Sequence, residues 1–484
     1  MEEMRKHRKY YIHCVIGVLI MIFGRFIPPV LTFTELGMEV MGIFIGTLYL
    51  WISTNSITWP SILAVIMMGM GNFYGGSFAN AMNACVTNST MQMLVLSLSI
   101  FSLLTTTKVA DQIANRIIST KFVRNHPWAL TAAIVMIAYL CAMLKAPYIV
   151  IYICWQFIYT ICGQTGLTRE DRWTKMVICG VPFATTVGMV TLPFSIAALG
   201  GFGILSSLSN NLYTFNAGRY TLFAQLFGLV IMAVYFLLCY FLVRPDMSKL
   251  KGVNLGMKIQ PFTKEQKFAL FIVVLYVICS ILPALTPADW LISKLYNGLS
   301  LVGIGALVLI VVLLPRNEKG RDKYTFGDLC QAANVWNLII MLAVATMLGS
   351  AVSSTEVGFV SLFDTLLGNL FRSRGPYFLA IVGCIAAILL TNVINNGVTM
   401  TILLPIVYAF AVSMNVSPIP ASVMVIWGSA NGFLLPSSSA AGAILNANVD
   451  WINLKDILRY GSIGCLALII AAAIFGIPMA GIIL

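Results

Sequence analysis

The chain has 484 residues, 59% of them hydrophobic and 10% charged, with a formal net charge of +12 and a mean hydropathy of +0.92. A soluble domain keeps roughly a quarter of its residues charged, so a water-soluble globule is excluded. The nucleic-acid partner that such a basic balance would suggest in a soluble protein falls with it.

Apolar runs near the length that crosses a bilayer, about 20 residues per helix, recur between short polar breaks. The first begins near Tyr11 and is followed by no small-residue cleavage site, so it reads as a span at 11–31 and not as a signal peptide. Further spans are predicted at 38–54, 58–72 and 87–107, then an amphipathic stretch at 108–122. A long apolar region, 127–163, is interrupted at Leu144-Lys145-Ala146-Pro147-Tyr148, and another, 174–210, near Gly188 and Pro193. A plain span at 218–243 and a polar linker at 244–266 close the first half. The pattern then restarts with spans at 267–284, 292–314 and 335–353 and an amphipathic stretch at 356–373. Two broken regions follow, 376–413 (interrupted from Asn392 to Thr399) and 419–447 (from Pro436 to Ser439), before a last span at 457–484.

The same order of elements in both halves argues for an internal duplication. So does a local echo, Leu192-Pro193-Phe194-Ser195-Ile196-Ala197-Ala198 against Leu435-Pro436-Ser437-Ser438-Ser439-Ala440-Ala441. If regions 127–163 and 376–413 are re-entrant hairpins, 23 of the 29 Lys and Arg residues fall on the cytoplasmic side. The outer loops near 32–37, 72–86, 205–217 and 284–291 then carry none. The expected protein is an all-α polytopic inner-membrane protein of about eleven spans, N-terminus cytoplasmic and C-terminus outside. It comprises an N-terminal span (1–37), a first repeat (38–243), a cytoplasmic linker (244–266) and a second repeat (267–484) of opposite orientation. Inverted repeats with paired broken helices are the recurrent build of secondary transporters.

Non-helical backbone at membrane depth is tolerated only where protein buries it or it lines a cavity. The second hairpin break carries Thr391, Asn392, Asn395, Asn396, Gly397 and Thr399 amid Leu and Ile. Such side chains and freed carbonyls can hold a hard cation through oxygen, or can satisfy neighbouring helices. The helix N-terminus beyond the break offers N–H groups to an anion. Pro436, Ser437, Ser438 and Ser439 form a break of the same kind, where close helix packing is the competing reading. The first hairpin places Lys145 where the second has Asn395. It reads as a partner for a substrate anion, as a fixed stand-in for a mobile cation, or as a lysine snorkelling to the interface. All seventeen Asp and Glu lie at termini, in loops or near span ends, so the central site is neutral to positive. The eleven cysteines lack metal-ligand spacing, and His7, His13 and His126 stand apart, so no zinc site is expected.

At these residues the chain resembles the divalent-anion/sodium symporter family, the dicarboxylate, citrate and sulfate carriers of the ion transporter superfamily. The resemblance spans nearly the full length. The family's hairpin Ser-Asn-Thr motif falls at Asn395-Asn396-Gly397, where Asn396 matches directly, with Thr399 and Leu404-Pro405 following. Its Leu-Pro then Thr-Pro-Pro-Asn-Ala pattern is echoed from Leu435-Pro436 through Ser439 to Ala443, while Lys145-Ala146-Pro147 replaces the first motif outright. The resemblance implies a homodimer in membrane lipid, each subunit with a scaffold and an elevator-type transport domain. It also implies a small anionic substrate held between the hairpin tips by Lys145, Pro147, Thr191, Ser195, Asn395, Asn396, Gly397, Ser437, Ser438 and Ser439. The implied ion sites are Thr185, Thr186 and Gly188 in the first half and Thr391, Asn392, Asn395, Asn396, Thr399 and Pro436 in the second. Sodium or a proton is then the coupling ion, Lys145 stands in for one sodium, and no other cofactor is expected. Two alternatives stay open: a cation/proton antiporter or metalloid permease of the same superfamily, and an integral membrane enzyme. The first lacks core carboxylates and the second lacks an acid/base pair or metal cluster, so a non-enzyme carrier of a di- or tricarboxylate is the leading reading.

Overall fold

In hydrocarbon a backbone must satisfy its own N–H and C=O groups, and this chain does so as helices, with no strand among the described residues. The computed structural model describes all residues except 1, 55, 88, 110–111, 114–115, 117–125, 144–146, 251–260, 286–289, 334–335 and 437. The first half contains α1 (Glu2–Phe23), α2 (Glu35–Ser53), α3 (Thr58–Met70), α4 (Phe78–Val86) and α5 (Ser89–Thr106). It continues with α6 (Pro127–Met143), α7 (Pro147–Thr165), α8 (Arg172–Thr191), α9 (Ile196–Leu208) and α10 (Ala217–Leu238). The second half contains α11 (Lys264–Leu285), α12 (Leu291–Leu313), α13 (Phe326–Ala333), α14 (Trp336–Ser353) and α15 (Phe359–Thr391). After these come α16 (Asn396–Ser413), α17 (Ile419–Ala430), α18 (Ala440–Ala447) and α19 (Leu454–Ile483).

Among the described residues, seven helices are long and apolar enough to cross a membrane, or eight if the pair α4 and α5, bent by 59°, forms one span. Shorter apolar helices include α3, α6, α9 and α17, so much of the expected count of about eleven resides in partial helices. The 72–86 segment, expected as an outer loop, contains α4. Ser77 starts it by accepting from the Asn80 N–H at 3.3 Å. The linker side of α14 carries α13, whose start is a small capping arrangement. Thr325 Oγ1 accepts from Asp328 N at 3.1 Å and donates to the Asp328 carboxylate at 2.7 Å. Within α15, Gly375 sits at φ 79° and divides the stretch expected to be amphipathic from the span that follows.

Glu39, on the first turns of α2, is 5% exposed. Its two carboxylate oxygens accept from Asn72 N and Asn72 Nδ2, each at 3.0 Å, so this acid holds the turn that follows α3.

The two halves are interlocked. Helix α8 packs against α6 and α7 of its own half and against α17 and α18 of the other. Helix α9 packs against α14, α16 and α17. Tyr159 of α7 stacks on Trp451 with ring centroids 4.6 Å apart, and its hydroxyl donates to Asn448 Oδ1 at 3.0 Å. Lys175 of α8 bridges Glu170 and Asp456, each at 3.1 Å, joining the start of α8 to the start of α19.

Gly188 permits the α6–α8 contact. A Cβ there would lie 2.2 Å from the Tyr139 carbonyl oxygen and 3.0 Å from Ala142 Cβ. Because the first obstacle is backbone, Gly188→Ala forces the helices apart. Overpacking of this kind costs about 1–3 kcal/mol. Gly188→Ala should therefore melt below the native protein in detergent; an unchanged midpoint would show that α6 yields freely.

Candidate functional site

The break between α8 and α9 lies beside that between α17 and α18, with α8 packed on α17 and α18 and α9 on α17. Proline lacks an N–H and ends the helical ladder, and both breaks contain Leu-Pro. In the first, Ser195 N donates to Leu192 O at 3.1 Å, and Ser195 Oγ then caps α9 by accepting from Ala198 N at 3.0 Å. In the second, Ser438 N donates to Leu435 O at 3.1 Å, and the cap of α18 is Ser439, one residue later, accepting from Gly442 N at 3.3 Å. The echo in sequence is therefore an echo in turn geometry.

The exposed carbonyls at these ends find side-chain donors. Tyr220 O–H donates to Val190 O at 2.8 Å, and Thr191 Oγ1 donates to Val187 O at 3.0 Å. Ser438 Oγ donates to Leu435 O and Ser439 Oγ to Gly432 O, both at 2.6 Å. These hydroxyl protons are committed to the backbone.

The break between α15 and α16 is built by three asparagines with three different tasks. Asn392 fastens the far side. Its Nδ2 donates to Ile388 O at 2.8 Å and Asn431 O at 3.3 Å, while its Oδ1 accepts from Phe433 N at 3.0 Å and Leu434 N at 2.8 Å. An amide has two donors and two lone pairs on oxygen, so Asn392 has no valence left for an ion. Asn395 is the N-cap of α16, accepting from Gly397 N at 2.8 Å, and Thr399 Oγ1 returns to Asn395 O at 3.2 Å. Asn396 faces inward, with Nδ2 3.5 Å from Ala430 O.

Beside Asn396 the structure is rich in oxygen and poor in protons. Thr391 Oγ1 has one hydrogen, yet it lies 2.5 Å from Ser429 O and 2.8 Å from Asn396 Oδ1. With the proton on the shorter contact, Asn396 sets its amide oxygen against a second oxygen in either orientation, Thr391 Oγ1 at 2.8 Å or Ala430 O at 3.5 Å. Gly432 lies against this group: a Cβ there would be 2.7 Å from Asn396 Oδ1, 2.8 Å from Thr391 O and 2.9 Å from Thr391 Oγ1. Hard cations take oxygen ligands from carbonyls, amides and hydroxyls, and oxygens that converge without protons are what such an ion neutralises. Thr391 is fully buried, and no carboxylate hydrogen-bonds to this cluster among the described residues.

Residues 176–482 match the sodium:sulfate symporter transmembrane region. The chain belongs to the sodium:sulfate symporter family. The YdaH transporter of Alcanivorax borkumensis has a similar fold, with a TM-score of 0.55 over 87% of this chain and 89% of that one at 12% identity. The uncharacterized transporter sll0640 of Synechocystis sp. is 28% identical over 101 residues, 21% of this chain. That match spans 16% of the relative's own length. The protein is an integral, multi-pass membrane protein of a transporter family.

In this sodium:sulfate symporter family member the first half reaches the same place through α8. Pro182 lies inside α8, and its missing N–H frees the carbonyl four residues earlier. Trp155 Nε1 of α7 donates to that carbonyl, Ile178 O, at 3.2 Å. Thr185 Oγ1 donates to Pro182 O, and Thr186 Oγ1 to Phe183 O, both at 2.7 Å. Thr186 Oγ1 also lies 3.0 Å from the side chain of Asn431, so an element of the first half touches the α17–α18 break. Thr186 thus reaches Asn431 at the α17–α18 break, whereas Thr185 is turned to its own helix and Gly188 serves the α6 contact. Pro147 opens α7, where a missing N–H costs nothing; its side chain, Lys145 and Ser437 lie outside the described residues. Pro436 lies in the turn between α17 and α18. Ser429, Asn431 and Gly432 are not among the residues singled out from the sequence. The signal was present: an asparagine at membrane depth is as costly as those at 392–396.

Proposed function

We propose that this protein is a secondary active symporter that carries a small anion, a di- or tricarboxylate, with sodium as the coupling ion. The observation that carries the reading is the oxygen-rich, proton-poor cluster of Thr391, Asn396 and Gly432 at a break between buried helices. An uncompensated group of this kind is unfavourable until a cation occupies it, so an ion gradient can drive its filling. The N-termini of α16, α9 and α18 supply N–H groups and partial positive charge to the anion. The matching turns at Leu192–Ser195 and Leu435–Ser438 support two repeats, 38–243 and 267–484, of inverted orientation. Residues 1–37 form an added span and 244–266 a cytoplasmic linker. The broken helices and hairpins move as the transport domain of an elevator-type carrier in a homodimer of the inner membrane.

The test is uptake of labelled succinate, citrate and sulfate into proteoliposomes with and without an inward sodium gradient. Sodium-driven uptake of succinate or citrate is expected; uptake of sulfate alone moves the substrate class, and uptake indifferent to sodium removes the coupling. Lys145 replaces the motif that elsewhere in such carriers would hold an ion, and a fixed ammonium there lowers the number of sodium ions per cycle. Lys145→Ala should change the sodium-to-anion stoichiometry measured by reversal potential; an unchanged ratio with intact transport would exclude that role.

A further inference from the structure

We infer that Asn431 is a ligand of the coupling cation, its amide oxygen turned inward by Thr186; this rests on the sodium-coupled reading above. One proton sets the orientation of the Asn431 amide. Thr186 is 3% exposed, and its hydroxyl lies 2.7 Å from Phe183 O and 3.0 Å from the Asn431 side-chain atom placed as Oδ1. A hydroxyl has a single hydrogen, and the closer acceptor, a carbonyl of its own helix, takes it. Thr186 Oγ1 can then only accept from Asn431. Amide nitrogen and oxygen have nearly the same shape, and their assignment is settled by the hydrogen-bond network. The edge of Asn431 that faces Thr186 is therefore the NH2 group.

The amide oxygen then occupies the position opposite, where the structure leaves the side chain without a hydrogen-bond partner. Asn431 is 2% exposed, so the partnerless atom is out of reach of bulk water. Ser429 Oγ, fully buried two residues earlier, is partnerless as well. The same three residues already bring Ser429 O to Thr391 and Ala430 O to Asn396, and Gly432 follows them directly. The backbone oxygen of Asn431 is held by Asn392, which fixes the segment while leaving its side chain free to serve. One short segment therefore presents carbonyl, hydroxyl and amide oxygens, all neutral. The cation class that fits is a monovalent one, because the ligands are neutral and no carboxylate is among them. Thr186 is a positioning residue in this scheme, and through it α8 of the first half controls an ion ligand of the second.

The test uses the full-length protein in detergent, with sodium chloride titrated against choline chloride at constant ionic strength, and reads the rise in melting temperature. A ion that binds the folded state alone stabilises it in proportion to its occupancy. Asn431→Leu should raise the half-saturating sodium concentration about tenfold or more, whereas Asn431→Asp, which keeps an inward oxygen, should leave it unchanged or lower it. Thr186→Val should raise it by a smaller factor, and Thr186→Ser should restore the native value. If Asn431→Leu responds to sodium as the native protein does, the inference is wrong while sodium coupling stands. Equal damage by Leu and Asp would also overturn it, since that marks an inward N–H donor. If the native protein shows neither sodium-dependent melting nor sodium-driven uptake, the parent reading fails and this one with it. A melt of each variant in choline alone reports folding separately, so a variant that merely unfolds is recognised as such.

Discussion

Replacing Asn392 by leucine should leave little folded protein in the membrane. Leucine keeps the branched shape but removes the partners of Phe433 N, Leu434 N and Asn431 O at once. Each buried polar group left unpaired costs about 1–3 kcal/mol, so the sum is roughly 3–9 kcal/mol against a typical total stability of about 5–15 kcal/mol. Asn395→Ala removes one helix cap and should cost only about 1 kcal/mol. Size-exclusion profiles and melting curves of the two variants in detergent give the comparison directly. If Asn392→Leu is monodisperse and melts like Asn395→Ala, the 431–434 turn is held by something other than Asn392.

Gly432→Ala should silence the response to sodium while leaving the protein folded. The added methyl would fall 2.7–2.9 Å from two oxygens of Thr391 and one of Asn396, inside the space a cation would share with them. Overpacking of this kind costs about 1–3 kcal/mol; where that cost falls on ion binding, sodium affinity drops roughly five- to 150-fold. The readout is the half-saturating sodium concentration for anion uptake, with melting in choline as the control for folding. A native sodium dependence in Gly432→Ala would place the ion away from this cluster.

Much of the helical layout was open to sequence reasoning because lipid enforces it. Long apolar runs must be helices, and Pro193, Pro436 and the Asn-rich stretch at 392–396 interrupt runs that nothing else would interrupt. Short helices were harder: α4 and α13 carry few apolar turns, and only their caps, Ser77 and Thr325, announce them. The division of labour among Asn392, Asn395 and Asn396 was not open to reading. The three are alike in chemistry, and what separates a clasp from a cap from an inward-facing amide is a partner at Phe433, Gly397 or Thr391. Two of those partners are local in sequence, but the one for Asn392 is 41 residues away. Asn431 escaped for the same reason, since its orientation depends on a proton committed by Thr186, 245 residues earlier. Thr185 and Gly188, ion ligands by the family resemblance, and Thr191, a substrate contact by the same resemblance, are tied in the structure to carbonyls and to close helix packing.

The interlocking of α7 and α8 with α18 and the α17–α18 break also constrains how the protein is made. Thr186 and Asn431 are separated by 245 residues, and Tyr159 and Asn448 by 289. At about 5–20 residues per second, a ribosome needs on the order of ten to sixty seconds to supply the later partner after the earlier one has emerged. For that interval the first half waits in the bilayer with polar faces turned to whatever is near: lipid headgroups, the insertion machinery or a membrane chaperone. Nascent chains arrested between residues 250 and 430 should therefore be the species that such helpers hold, and the species that membrane proteases remove.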